Sequence, residues 1–257
     1  MQSADPQPPA TEGGVLVQHR VPGFSESWII PEQPVPEAAW HDRALALFRA
    51  LLECWIARTG RNAAVFRNIA VRVFEQAPRV GFDPDLCVVE PAPPAAEELS
   101  SVRLWDPGHG APAFVLEVVS PGHPYKDYAE VPDRCAAMGV SELVIFDPLL
   151  VGPKAFGGPL RLQVWRRVEG PRFLRVAEGE GPFFSAFLNA HLVTTEGGRR
   201  LRIADDADGS HLWPTGEELE RQQKDAERQQ REAERLEKER ALARIRELEA
   251  ELARRGG

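Results

Sequence analysis

Ala113-Phe114-Val115-Leu116-Glu117-Val118-Val119 is an apolar run broken once, by a carboxylate. Apolar neighbours on both sides of Glu117 predict a strand covered on both faces, the pattern of an inner strand in an α/β sheet. Leu143-Val-Ile-Phe146 has the same character. Between the two, Pro132–Met138 reads as a short helix ending at Gly139. Strand, helix and strand in that order predict an α/β domain with a mixed sheet.

Working outward, Glu37 to about Thr59 reads as a helix with Gly60 as its C′ residue. Trp40, Ala44, Leu47, Leu51 and Trp55 follow helical spacing and predict its buried face. Ala63–Phe74 alternates and reads as one strand ending at Glu75, and Leu86–Val89 is a short apolar strand. Pro91 to Gly110 reads as a loop with a turn at Asp106-Pro-Gly. Leu160–Val168 and Phe173–Ala177 flank the turn Glu169-Gly-Pro and read as a hairpin. Phe183–Leu192 reads as a short helix and Arg200–Ala204 as a last small strand.

The chain has 257 residues, of which 43% are hydrophobic, enough for one sizeable core. No run of about 18 apolar residues predicts a membrane span. Residues 1–14 are rich in Pro and Gly, lack the apolar centre of a secretory signal, and are expected to be disordered. Cys54, Cys87 and Cys135 lie far apart without metal-ligand spacing, predicting reduced core thiols and a cytoplasmic setting. The formal charge of −8 argues against non-specific attraction to nucleic acid. From Glu217 to Arg255 the chain carries 11 basic and 12 acidic residues with no Gly or Pro, so the acidity resides in the preceding domain. This tail, 215–255, predicts a long helix, and Ala241, Ile245, Leu248 and Leu252 form a coiled-coil seam at its end. It is either a solvated single helix or a homo-oligomerising coiled coil.

Glu117 concentrates the chemical interest, because an isolated buried carboxylate is costly unless paired, protonated or metal-bound. Asp85 opens the preceding apolar strand, in Phe82-Asp-Pro-Asp85-Leu-Cys-Val-Val89. Two carboxylates meeting from neighbouring strands supply hard oxygen ligands for Mg²⁺, which keeps several waters and orients a phosphate. The competing reading has Asp85 capping a turn and Glu117 paired with an arginine such as Arg72 or Arg103. Lys126 is the only lysine before Lys154. It, His123 and Arg134 are candidate cations near the pair; His41 either faces the cleft or the solvent, and Glu75 is a candidate third carboxylate. No Gly-rich phosphate loop, zinc cluster or G-x-S-x-G elbow is present.

The ordered set Asp83-Pro-Asp85-Leu-Cys-Val-Val, Ala113-Phe-Val-Leu-Glu117-Val-Val-Ser-Pro121, Asp127 and Gly139-Val-Ser-Glu-Leu-Val-Ile-Phe-Asp147-Pro148 resembles the Uma-type restriction endonuclease family of the PD-(D/E)xK nuclease superfamily. His41 and Arg200-Leu-Arg-Ile-Ala-Asp205 fit the likeness, which runs from about 15 to 216. It implies a restriction-endonuclease-like domain at 15–210, a mixed sheet flanked by helices, before the 215–255 tail. It further implies a Mg²⁺ or Mn²⁺ ion held by Asp85 and Glu117, with the Val118 carbonyl as a further ligand, and DNA as substrate. Such nucleases carry a lysine two residues after the glutamate, here Val119, or four after the aspartate of the next helix, here Val131. Lys126 is the stand-in. The expectation is a metal-dependent DNA endonuclease with an atypical site, set against a non-catalytic scaffold that assembles through its tail and, less well supported, a plain nucleic-acid-binding module.

Overall fold

The computed structural model describes residues 18–20, 28–30, 38–168 and 172–255. The expected disorder of residues 1–14 and the turn Glu169-Gly-Pro lie outside the described residues, as does the predicted helix start at Glu37.

In chain order the elements are β1 (Gln18–Arg20), α1 (Ala39–Thr59), β2 (Ala64–Arg67), β3 (Ala70–Phe74), β4 (Ala77–Phe82), β5 (Leu86–Val89), β6 (Ser101–Arg103), β7 (Phe114–Val118), α2 (Val131–Met138), β8 (Glu142–Phe146), β9 (Leu162–Arg167), β10 (Arg172–Gly179), β11 (Phe183–Ser185), β12 (Ala190–Thr195), β13 (Arg200–Ala204) and α3 (Gly216–Arg255). The main sheet runs β1-β10-β9-β8-β7-β5-β2. Within it β7 and β8 are parallel and every other neighbouring pair is antiparallel. This is the mixed α/β sheet that the two apolar strands and their connecting helix predict.

Side chains alternate across β7, and the alternation separates two cores. Phe114, Leu116 and Val118 face α1, packing with Leu45, Phe48, Leu52 and Trp55 and with Leu192 and Ile203 of the β11-β12-β13 sheet. Val115 and Val119 face the other way, against Val131, Cys135 and Ala136 of α2 and against Val71, Phe82 and Val102 of the β4-β3-β6 sheet. Each such fully buried side chain contributes about 1.5–3 kcal/mol. Glu117 has the parity of Val115 and Val119, so it enters the α2-side core, where it is 0% exposed.

Several expectations are corrected. Ala63–Phe74 is two strands: Asn68 takes a left-handed conformation (φ 50°) and sends β2 and β3 into different sheets. Strand β6 lies inside the stretch Pro91 to Gly110 read as a loop, and β4 is a further strand that the sequence reading did not assign. Phe183–Leu192 is a β-hairpin, since Asn189 (φ 52°) turns the chain and β11 pairs with β12. The buried face of α1 is rotated from the one read in the sequence. Its fully sequestered residues are His41, Leu45, Phe48, Leu51, Leu52 and Trp55, while Trp40, Ala44 and Leu47 are only partly buried. Cys54 is half-buried, whereas Cys87 and Cys135 lie in the core; all three are free thiols.

The chain divides after Trp213 into two compact units. In the second, the helix α3 starts with a capping box: Glu218 N–H donates to Thr215 Oγ1 at 3.2 Å, and Thr215 N–H donates to the Glu218 carboxylate at 2.8 Å. Exposed i,i+4 pairs such as Glu220–Lys224 and Glu227–Arg231 run along it. Leu236, Leu242, Ile245 and Leu248 are each more than 40% exposed on this single chain. The side chain of Leu252 lies outside the described residues.

Candidate active site

Strand register brings the two carboxylates together. β5 and β7 pair antiparallel with Leu86 opposite Leu116, so the next step of the ladder sets Asp85 opposite Glu117. The contact is reciprocal: Asp85 N–H donates to Glu117 Oε1 at 3.1 Å, and Val118 N–H donates to Asp85 Oδ2 at 2.8 Å. Each carboxylate is thus held by the backbone of the other's strand. His41 closes the group from α1, its Nε2 lying 2.8 Å from the Val118 carbonyl oxygen and 3.2 Å from Asp85 Oδ2.

The cation comes from the connection between β7 and α2. Lys126–Glu130 forms one π-helical turn leading directly into α2, with the Val131 N–H donating to the Lys126 carbonyl. Pro132 accounts for it: the residue has no N–H to donate, and in a regular helix its ring would strike the carbonyl four residues back. A widened turn relieves both, and such turns recur at functional sites. It carries Lys126 Nζ to 3.6 Å from Glu117 Oε2 while leaving the side chain 34% exposed. Asp127, 5% exposed, also faces this group and is acted on by Lys126, Asp85 and His41.

The electrostatics follow from crowding acidic groups out of water. Burial, then the Asp85 charge, pushes the Glu117 carboxyl well above the usual carboxylate range, and Lys126 opposes the shift. Burial pushes Asp127 up to about 7, again against Lys126. Glu117 in turn holds the Lys126 ammonium above the ordinary lysine range, so this lysine is a fixed cation and not a proton acceptor at neutral pH.

The remaining candidates fall elsewhere. Arg72 donates to the Pro78 carbonyl and Arg103 pairs with Asp106, so the expected arginine partner of Glu117 is replaced by Lys126. Val131 is fully buried in the α2-side core, as is Val119, and neither supplies a charge to the carboxylates. Arg134 pairs with Glu130 at 2.7 Å. His123 is exposed in the turn before the helix, and Glu75 is exposed in the turn joining β3 to β4, in a different sheet from the carboxylates. Sequence reasoning placed His41 only as an open alternative and gave Asp127 no part in the site. The signal for His41 was the 4-3-4-3 spacing His41, Leu45, Phe48, Leu52, Trp55, which continues the buried stripe to the histidine.

The donor set suits a hard divalent cation. Glu117 Oε2 is a buried oxygen with no hydrogen bond, 3.6 Å from the Lys126 ammonium, and the opposing Asp85 supplies a second hard ligand. The Val118 carbonyl already accepts from His41 but retains a second lone pair. Among the described residues no group of three or more His, Cys, Asp or Glu side chains is placed to enclose an ion. Mg²⁺ in general binds through one or two carboxylates and completes its shell with water and phosphate.

The family model Uma2, described as "Putative restriction endonuclease", matches residues 25–171, more than half of the chain. Among solved structures the chain is similar to "a putative nuclease belonging to DUF820 from Anabaena variabilis ATCC 29413", at 14% identity and a TM-score of 0.42, over 60% of this chain and 76% of that one. No curated protein matches.

Proposed function

The chain belongs to the Uma2 family, and from that membership and the clustered charges we propose that it hydrolyses DNA phosphodiester bonds with the help of Mg²⁺ or Mn²⁺. The observation that carries the reading is the convergence of Asp85, Glu117 and Lys126, two carboxylates and one cation, at the same end of β5 and β7. Asp85 and Glu117 are the proposed metal ligands, with the Val118 carbonyl as a third. When bound, the metal supplies Lewis-acid polarisation of the phosphate and lowers the pKa of a coordinated water. Lys126 balances negative charge beside the scissile phosphate and orients the attacking water through its ammonium. His41 keeps Asp85 and the Val118 carbonyl in place. Lys126 also favours this reading over a non-catalytic scaffold, whose main motive was the absence of lysine at positions 119 and 131.

The test is plasmid DNA incubated with full-length protein in Mg²⁺ or Mn²⁺, beside Asp85→Ala and Glu117→Ala. Cleavage by the wild type, lost in both variants and in chelator, is expected. An inert wild type, or variants that cut equally well, would remove the nuclease reading.

We assign the chemistry to the domain at 15–210 and homo-oligomerisation to the tail at 215–255. Ile245 and Leu248, half exposed at heptad spacing, support pairing of that helix with a second copy. Ending the chain at residue 216 is expected to convert the oligomer to monomer in analytical ultracentrifugation. An unchanged association state would reject assembly through the tail. Among the described residues no helix is long and apolar enough to cross a membrane.

A further inference from the structure

A cleft of about 690 Å³ opens on the other face of the π-turn. Lys126 and Asp127 point toward the carboxylates, while Tyr125, Tyr128 and Ala129 of the same turn line this cleft. Its back wall is fixed. Trp165 is 2% exposed, and the Arg175 guanidinium lies 5.5 Å from the centre of its ring. Gln163 Oε1 accepts from both Trp165 Nε1 and Arg175 Nη1 at 3.3 Å, and Glu178 pairs with Arg175 Nε at 2.7 Å. The rim is the opposite in character. Tyr125 and Phe156 meet edge to face at 5.0 Å, yet they are 55% and 37% exposed. Gly157, at φ +76°, leaves the space beside Arg175 Nη2 open, since a Cβ there would sit 3.6 Å from that nitrogen.

Resting on the nuclease reading, we infer that this cleft binds a guanine base of the DNA strand, turned out of the stack. The exposed rings of Tyr125 and Phe156 at the rim suit a planar heterocycle. Glu130, Asp133 and Glu178 outnumber Arg175 among the lining charges, so the cleft disfavours a phosphate and favours a base edge rich in donors. Guanine offers both halves of the match: O6 and N7 accept from an arginine, and its amino group donates to a carboxylate. Thymine has no amino group, cytosine stacks less surface, and adenine presents N7 but no carbonyl oxygen to the guanidinium. The site would give the enzyme a sequence preference beside the cut.

The test uses full-length protein without metal, so that no cleavage is involved. Guanosine, adenosine, cytidine and thymidine are titrated by ligand-observed NMR, with tetramethylammonium as competitor. Guanosine is expected to bind at least about tenfold more tightly than the others. Tyr125→Ala and Phe156→Ala should each weaken it about tenfold, as loss of a stacking surface does, and Asp85→Ala should leave it unchanged. Equal binding of the four nucleosides, indifference to both rim substitutions, or displacement of guanosine by lower concentrations of tetramethylammonium would overturn the assignment, the last in favour of an organic-cation cage. A protein that binds guanosine but cuts no DNA would sink the nuclease reading alone; one that cuts DNA and ignores guanosine would sink the base site alone.

Discussion

Replacing Lys126 with alanine is expected to slow the proposed DNA cleavage by about 10²–10³-fold, the usual loss when one preorganised charge-stabilising group is removed. Its Nζ, 3.6 Å from Glu117 Oε2, is the cation facing that carboxylate, which is itself fully buried. Because Glu117 and its acidic neighbours hold the lysine protonated, its contribution is positive charge and water orientation, not proton abstraction. Lys126→Arg should therefore recover part of the rate, although the wider guanidinium fork does not reproduce the geometry of an ammonium. The pH profile supplies a readout that a merely structural role would not move. Burial and Asp85 raise the Glu117 pKa and Lys126 lowers it, so removing the lysine leaves the carboxyl protonated to higher pH. If the ionised form is required, the acid limb of the residual activity shifts toward alkaline pH in Lys126→Ala. An unchanged rate and an unchanged profile would exclude the lysine from the reaction.

What was legible in the sequence was decided at short range. Glu117 stood out because a lone carboxylate in Ala113–Val119 has no local reason to be there, and the strand parity that buries it is a property of β7 alone. The composition of 217–255 likewise announced a helix without tertiary help. The meeting of Asp85 with Glu117 was readable as a juxtaposition of neighbouring strands, but the register placing them opposite each other depends on the β5–β7 ladder. The misses have the same origin. In Ala63–Phe74 the alternation continues through Asn68, and only its left-handed conformation shows that the chain changes sheet. Phe183 and Phe187 mimic helical spacing, yet Leu188, Ala190 and Leu192 are the residues the core takes. The π-turn was hidden because Pro132 read as a start of helix, when it is the reason the preceding turn is wide enough to present Lys126 and Asp127 together.

Asp147 lies in a stretch that looks functional, Phe146-Asp147-Pro148, but its surroundings make it a support for the fold, and Asp147→Ala is expected to destabilise the protein by about 3–5 kcal/mol. The carboxylate is 0% exposed. One oxygen accepts the Val151 N–H at 3.1 Å; the other accepts the Gly152 N–H at 2.8 Å and faces the Tyr128 hydroxyl at 3.2 Å. That hydroxyl in turn accepts the Leu160 N–H at 2.9 Å, so one side chain ties the loop after β8 to the approach to β9. Packing leaves no slack, since a Cβ on Gly152 would fall 2.2 Å from the Tyr128 ring. Alanine would strand two backbone donors where water has little access, each costing about 1–3 kcal/mol before any rehydration, while the Tyr128 hydroxyl keeps the Leu160 carbonyl at 3.0 Å as an acceptor. For a domain of this size each kcal/mol lowers Tm by about 2–4 °C, which predicts a fall of roughly 10 °C in a circular dichroism melt. Asp147→Asn keeps one acceptor oxygen but turns an amide N–H₂ toward the remaining donors, and should lose about half as much. A melting temperature for Asp147→Ala within about 2 °C of wild type would show that the loop finds other partners and that the carboxylate is not what holds it.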